Sequence, residues 1–194
     1  MLTRRSPIAT LATAITAITL AGIVAPAAAA PSTWTSPVLA DVSSWLAQRD
    51  VGVKCYAFAE PDSPWGHDAW GYVRKPLGKS RLTHLDERLC LGALDVNGEL
   101  PAWQRALGVI VLTHEAYHLR RWGAAGDEAK VECRAIRHWK VVARRLGATE
   151  ETVAELWPAA LASHYELASY RDWLGERPYD DPSCDVPPLV ELDE

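Results

Sequence analysis

Apolar residues recur at helical spacing in two long stretches of the first two thirds of the chain. The first covers 36–48, where Ser36 suits an N-cap and Pro37 a first helical position. The second begins at Pro101. Each pattern predicts an amphipathic helix with one face toward a core. The predicted faces are Val38, Leu39, Val42, Trp45 and Leu46 in the first stretch, and Trp103, Leu107, Ile110 and Val111 in the second.

Two further helical patterns follow in the last third of the chain. One begins at Asp127, a good N-cap residue, and its apolar face consists of Ile136, Trp139, Ala143 and Leu146. The other is capped by Thr149 and should be interrupted at Pro158, because proline removes a helical hydrogen bond. A further helix, rich in aromatic residues, is expected from Pro158 to Leu174, followed by a proline-rich tail.

Short segments between the first two helical stretches have the alternation of strands. Residues 53–59 alternate, and residues 70–74 and 81–85 flank a turn at 75–79. These segments predict a small antiparallel sheet beside the helices. The predicted fold class is therefore α+β, mainly α, in a single domain.

The first thirty residues differ in composition from the rest. Arg4 and Arg5 give a basic start, and an apolar run and a group of small residues follow, as in a secretory signal peptide. We therefore expect a signal peptide at 1–30 and one domain at 31–194, long enough for a hydrophobic core. The alternative is an uncleaved membrane anchor at 8–25, because that run is near the lower length limit for spanning a bilayer.

The charge of the exported chain narrows the classes of partner. Removing Arg4 and Arg5 from the 20 basic residues leaves 18 against 25 acidic residues, a net charge of −7. An acidic balance argues against nucleic acid or an anionic lipid surface as a partner. A membrane is expected as a partner only if the N-terminal segment stays uncleaved, and the oligomeric state is left open.

The cysteine content indicates the compartment. An even number of cysteines in an exported chain predicts two disulfides, and four cysteines allow three pairings. The pairing is left open among Cys55, Cys90, Cys133 and Cys184. A secreted or otherwise extracytoplasmic location is expected.

The strongest chemical signal lies late in the helix that begins at Pro101. An H-E-x-x-H pentapeptide runs from His114 to His118, so two histidines lie four residues apart on one helix face. That spacing lets two imidazoles bind one metal ion, and it puts Glu115 beside them as a candidate base. Helix positions that face a core are normally apolar, so two histidines there need partners.

The next helix offers carboxylates near the shared turn. Stepping back by fours from Ile136 gives Glu132 and then Glu128. If the two helices form an antiparallel hairpin, His114, His118 and Glu128 could converge as a set of three ligands with one position left for water. Glu132 is the competing third ligand. Glu128 could instead be a first-turn carboxylate stabilised by the helix dipole.

The segment Val111–Leu119 resembles the active-site helix of the zincin metallopeptidases. Glu128–Glu132 resembles the E-x-x-A-D-type segment of their gluzincin branch, and the whole resemblance covers roughly 109–132. It implies that a small sheet lies above the active-site helix and that its edge strand aligns the substrate backbone. We assign that role to residues 81–85 on this resemblance alone.

The resemblance also implies a role for each candidate site residue. His114, His118 and Glu128 would bind Zn²⁺, and Glu115 would be the general base for a metal-activated water. Glu132 would support a ligating histidine by accepting its second N–H.

The expected function is hydrolysis of peptide bonds in a peptide or protein substrate by a secreted zinc metalloendopeptidase. Two alternatives stay open: a secreted metal-binding module without turnover, and a disulfide-stapled interaction module without metal. His164 or Tyr165 could stabilise the oxyanion. The histidines outside the pentapeptide are nevertheless more typical of surface or hydrogen-bonded core residues: His67, His84, His138 and His164.

Overall fold

A computed structural model describes residues 33–57, 70–74, 79–120, 127–173 and 184, without the side chains of 166–173. In chain order the elements are β1 (Thr33–Thr35), α1 (Pro37–Ala47), β2 (Gly52–Tyr56), β3 (Gly71–Val73), β4 (Leu82–Asp86), α2 (Glu87–Leu94), α3 (Ala102–His118), α4 (Glu128–Arg145) and α5 (Glu150–Trp173). The predicted class, α+β and mainly α, is confirmed. The predicted signal peptide or anchor lies outside the described residues. None of the described helices is long and apolar enough to cross a bilayer.

The four described strands form one sheet in the order β1-β2-β4-β3. The pairs β1–β2 and β3–β4 are antiparallel, but β2 and β4 are parallel. The sheet is therefore mixed, and the predicted all-antiparallel arrangement is wrong. Alternation in a sequence shows that a segment is extended and half-buried, but it does not specify the neighbouring strand or its direction.

The position of β4 also contradicts the role expected for residues 81–85. Because β4 lies between β2 and β3, it has no free edge on which a substrate could be aligned. Among the described strands, the edges belong to β1 and β3. The short strand β1 and the helix α2 were not predicted. Local capping nevertheless begins α2, because the Asp86 carboxylate accepts a hydrogen bond from the Arg88 backbone N–H at 2.8 Å.

Helix α3 lies at the centre of the fold and contacts α1, α2, α4, α5, β3 and β4. Every residue from Arg105 to His118 is buried, so the helix has no solvent-exposed face along this length. Two glycines allow α2 to approach it closely. A Cβ at Gly108 would lie 2.4 Å from the carbonyl oxygen of Leu89, and one at Gly92 would lie 2.3 Å from that of Gln104.

Three residues assigned to core faces are exposed instead. Val38 and Trp45 of α1 are 50% and 40% exposed, and Trp103 in the first turn of α3 is 53% exposed. The buried face of α1 is shifted from the predicted one and consists of Leu39, Val42, Ser43, Leu46 and Ala47. Spacing alone places residues on a side of a helix but does not show how far the neighbouring elements extend over it.

Helices α4 and α5 pack against α3 and against each other. The Asp127 carboxylate caps α4 by accepting from the Lys130 N–H, as predicted. The indole N–H of the buried Trp139 donates to the Ala106 carbonyl of α3 at 3.0 Å. The predicted interruption at Pro158 is wrong, because α5 continues through it. Burial of Leu156, Ala160 and Leu161 in the core offsets the cost of an interior proline, about 3 kcal/mol.

All four cysteines are paired, which confirms the prediction of two disulfides. Cys55 of β2 is bonded to Cys90 of α2, and Cys133 of α4 is bonded to Cys184. The sequence had left these pairings open. Two disulfides indicate an oxidising, extracytoplasmic compartment.

Candidate metal centre

Three side chains converge where the last turns of α3 meet the first turn of α4. The Nε2 atoms of His114 and His118 are 3.0 Å apart. One carboxylate oxygen of Glu128, Oε2, lies 3.2 Å from each of them. The structure thus brings together the two histidines of the pentapeptide and the first acidic residue of the next helix.

The spacing of these three atoms fits a single zinc ion. Ligand atoms 2.0–2.1 Å from a tetrahedral zinc lie about 3.3 Å from one another. The observed separations of 3.0–3.2 Å are close to that value. Two imidazole nitrogens and a carboxylate oxygen are also a ligand set that zinc accepts while keeping an open position.

Glu132 lies one helical turn beyond Glu128 and contacts two imidazoles. Its Oε2 is 2.8 Å from Nδ1 of His114, and its Oε1 is 2.8 Å from Nδ1 of His164. An ionised carboxylate only accepts hydrogen bonds, so both Nδ1 atoms must donate. Held this way, His114 directs Nε2 toward His118 and Glu128. This is the position expected of a residue that orients a ligand.

The carboxylates and His114 carry opposite charges at neutral pH. Burial raises the pKa of Glu132, but hydrogen bonds from His114 and His164 outweigh it and lower the pKa to about 2. Burial likewise opposes ionisation of Glu128, yet its bonds with His114 and His118 hold its pKa well below the ordinary range. Burial lowers the pKa of His114, but bonds to Glu128 and Glu132 prevail and raise it to about 10. The two ionised carboxylates suit a cation, which would take the place of the Nε2 proton of His114.

The candidate base Glu115 is buried between α3 and the edge strand β3. A Cβ built on Gly71 of β3 would lie 2.9 Å from Cγ of Glu115, and equally close to side-chain atoms of Leu85 and Val111. The Glu115 charge also contributes to the raised pKa of His114, which places the carboxylate near the ligands. The absence of a side chain at Gly71 leaves the room that Glu115 occupies.

The cluster opens to solvent on the side of Glu128. The side chain of Glu128 is 43% exposed, whereas those of His114 and His118 are almost completely covered. A small molecule or an extended chain would therefore approach past Glu128 rather than through the core.

The remaining histidines take different positions. His164 is buried against Glu132, and the ring of Tyr165 packs edge-on against it at 5.3 Å. Nδ1 of His138 donates to the Arg134 carbonyl of its own helix. His84 departs from expectation: it is buried, yet neither ring nitrogen has a hydrogen-bond partner among the described residues. His67 lies outside the described part of the chain.

Two residues of the site were missed from the sequence. His164 was considered as an oxyanion donor, but its contact with Glu132 was not foreseen. One local pattern indicates that His164 faces the core, because it continues a row at spacing four with Leu156 and Ala160, and all three are buried. Gly71 carried no signal, because its role depends on which strand packs against α3.

Comparison of the chain with family models, with curated proteins and with solved structures finds no match in any of the three. The function must therefore be inferred from the side chains and their geometry.

Proposed function

We propose that this protein is an extracytoplasmic zinc-dependent peptidase. The observation that carries the proposal is the convergence of His114, His118 and Glu128 with Glu115 beside them. The ligand atoms all lie within 4.8 Å of one another, and the site opens to solvent at one ligand. A helix pair that only packed together would not need three ionisable groups at this spacing.

The chain's own residues account for the proton transfers of hydrolysis. His114, His118 and Glu128 would hold a zinc ion, which would supply the Lewis acidity that activates water and polarises a carbonyl. Glu115 accepts the proton of the attacking water and delivers it to the leaving amine nitrogen. Glu132 accepts Nδ1–H of His114, which leaves Nε2 as the atom that would bind the cation once its own proton is displaced.

The substrate binds as an extended chain along β3 in this proposal. Strand β3 is an edge among the described strands, and its Gly71 lies against Glu115. The backbone of an edge strand is where a sheet can add a peptide strand. A substrate aligned on β3 would thus run past the base, and this assignment replaces the one first given to residues 81–85.

The proposal is tested by replacing Glu115 with Gln, which keeps the shape but removes the base. Hydrolysis should fall by about 10²–10⁴-fold, the usual contribution of general base catalysis. Zinc content should stay near one ion per chain, because Glu115 is not a ligand. The measurements are cleavage of a quenched fluorescent peptide library and elemental analysis of the purified protein.

The matched control is Glu151→Gln, since Glu151 lies exposed in the first turn of α5. This variant should keep both zinc and activity. A protein that carries stoichiometric zinc but cleaves nothing would instead be a metal-binding module. Purification without zinc, together with failure to take it up, would favour the disulfide-stapled interaction module.

A further inference from the structure

Glu132 of α4 is bonded to imidazoles from two other helices. Its two oxygens accept from His114 of α3 and from His164 of α5, each at 2.8 Å. The three residues belong to three helices that pack against one another in the core. The metal site is therefore connected to α5 through one carboxylate.

The burial of this group makes each bond important. Glu132 is 1% exposed, and both histidines that bond to it are buried as well. A buried carboxylate that loses one of its donors is left with an uncompensated charge, which favours rotation of the side chain toward another donor. That rotation would change the acceptor that His114 faces.

We propose that His164 is a positioning residue of the metal site. By holding Oε1 of Glu132, it fixes the carboxylate in the orientation in which Oε2 receives Nδ1–H of His114. His114 then presents Nε2, rather than Nδ1, to the cation. The inference rests on the proposed zinc site, and it gives α5 a role in metal affinity although none of its residues is a ligand.

The first test measures zinc affinity in two variants of His164. Leu removes the donor to Glu132, whereas Asn places an amide N–H near the position of Nδ1. We expect the dissociation constant for zinc to rise about tenfold in His164→Leu, as for loss of other outer hydrogen bonds at zinc sites. His164→Asn should remain within about threefold of the wild type. Competition with a chromophoric chelator gives these values.

The matched control is His138→Leu. His138 is a half-buried histidine on α4 whose Nδ1 bonds to a backbone carbonyl rather than to Glu132. Its replacement should leave zinc affinity unchanged. Equal affinity in the wild type and in His164→Leu would overturn the proposal, as would equal weakening in the Leu and Asn variants.

The second test needs neither zinc nor activity. In metal-free protein with ¹⁵N-labelled histidine, proton NMR should show two strongly downfield Nδ1–H signals, from His114 and His164. In His164→Asn the His114 signal should stay in place. In His164→Leu it should move or broaden, and a His114 signal that is unaffected there would overturn the proposal.

The two tests separate this proposal from the proposed function. A wild-type protein that takes up no zinc would end the peptidase proposal, while the NMR signals would still decide whether His164 holds Glu132 for His114. Urea unfolding of each metal-free variant identifies any loss of fold. If the Leu variant is unfolded, a His114 signal in folded His164→Asn that differs from the wild type would overturn the proposal.

Discussion

A single residue, His84, combines deep burial with two ring nitrogens that have no described hydrogen-bond partner. It is 2% exposed, and its ring lies between Tyr72, stacked at 4.3 Å, and Tyr56 at 5.2 Å. Burial, together with the nearby charges of Arg74 and Lys54, lowers its pKa to about 4. The folded protein therefore favours the neutral imidazole.

This shift predicts a loss of stability in mild acid. The folded pKa of His84 lies below its unfolded value of about 6.5, so stability is retained above pH 6.5 and lost as pH falls toward 4. Between pH 7.5 and pH 5 the loss from this group should be about 2 kcal/mol. Urea unfolding at the two pH values measures it.

The control is His84→Phe, which keeps a ring between the two tyrosines and cannot titrate. From pH 7.5 to pH 5, the wild type should lose about 2 kcal/mol of stability relative to this variant. The titrating groups of the candidate metal centre, including His114 with its raised pKa, are the same in both proteins, so their contributions cancel in the comparison. An equal loss in both proteins would contradict the assignment to His84.

At the scale of elements, the contact between β3 and α3 determines where Glu115 lies. Gly71→Ala places a methyl group 2.9 Å from Glu115 Cγ and equally close to two core side chains. We expect peptide hydrolysis to fall at least tenfold while zinc binding is retained, because a displaced base loses its geometry but the ligands lie elsewhere. Overpacking should also lower the free energy of unfolding by about 1–3 kcal/mol.

Gly52→Ala is the control for this prediction. Gly52 is also a strand glycine, but a Cβ there would come close to the flexible end of the Leu82 side chain, at 3.1 Å, and would lie at ordinary contact distance, 3.9 Å, from the Arg81 carbonyl oxygen. Activity per zinc ion, measured on the folded fraction of each variant, separates displacement of the base from loss of stability. Full activity in Gly71→Ala would show that β3 does not position Glu115.

The elements differ in how well their sequences predicted them. Caps and helical periodicity are local, so α1 and α4 were found with their N-caps Ser36 and Asp127. The pairing of β4 between β2 and β3 depends on contacts distant in sequence, and alternation could not reveal it. The candidate site divides in the same way. Helical spacing predicted His114, His118, Glu128 and Glu132. The role of Gly71 and the contact of His164 with Glu132 depend on how distant elements pack, which spacing does not show.

At the scale of the whole molecule, the disulfide between Cys133 and Cys184 closes a long segment beside the candidate metal centre. The two residues are 51 positions apart, and Cys133 directly follows Glu132. Replacing both with Ala should lower the free energy of unfolding by about 4 kcal/mol, because the unfolded chain regains the entropy of an open loop.

Zinc should remain bound in this double variant, since all three candidate ligands come from α3 and α4. Urea unfolding and elemental analysis measure the two effects. Replacing Cys55 and Cys90, which lie 35 positions apart, provides the comparison, with a slightly smaller loss for a shorter loop. If zinc is lost when the Cys133–Cys184 bridge is removed, but not when the Cys55–Cys90 bridge is removed, the first bridge holds the ligands in place.

The complete enclosure of α3 has a consequence for how a cation would be acquired. Its two histidines sit on a helix that six neighbouring elements already hold, so their scaffold is preorganised and does not depend on the ion for its shape. Small zinc domains, by contrast, are unfolded until metal arrives. Zinc would then bind reversibly to a protein that is already folded. Removing zinc with a chelator would abolish the proposed hydrolysis without unfolding the chain.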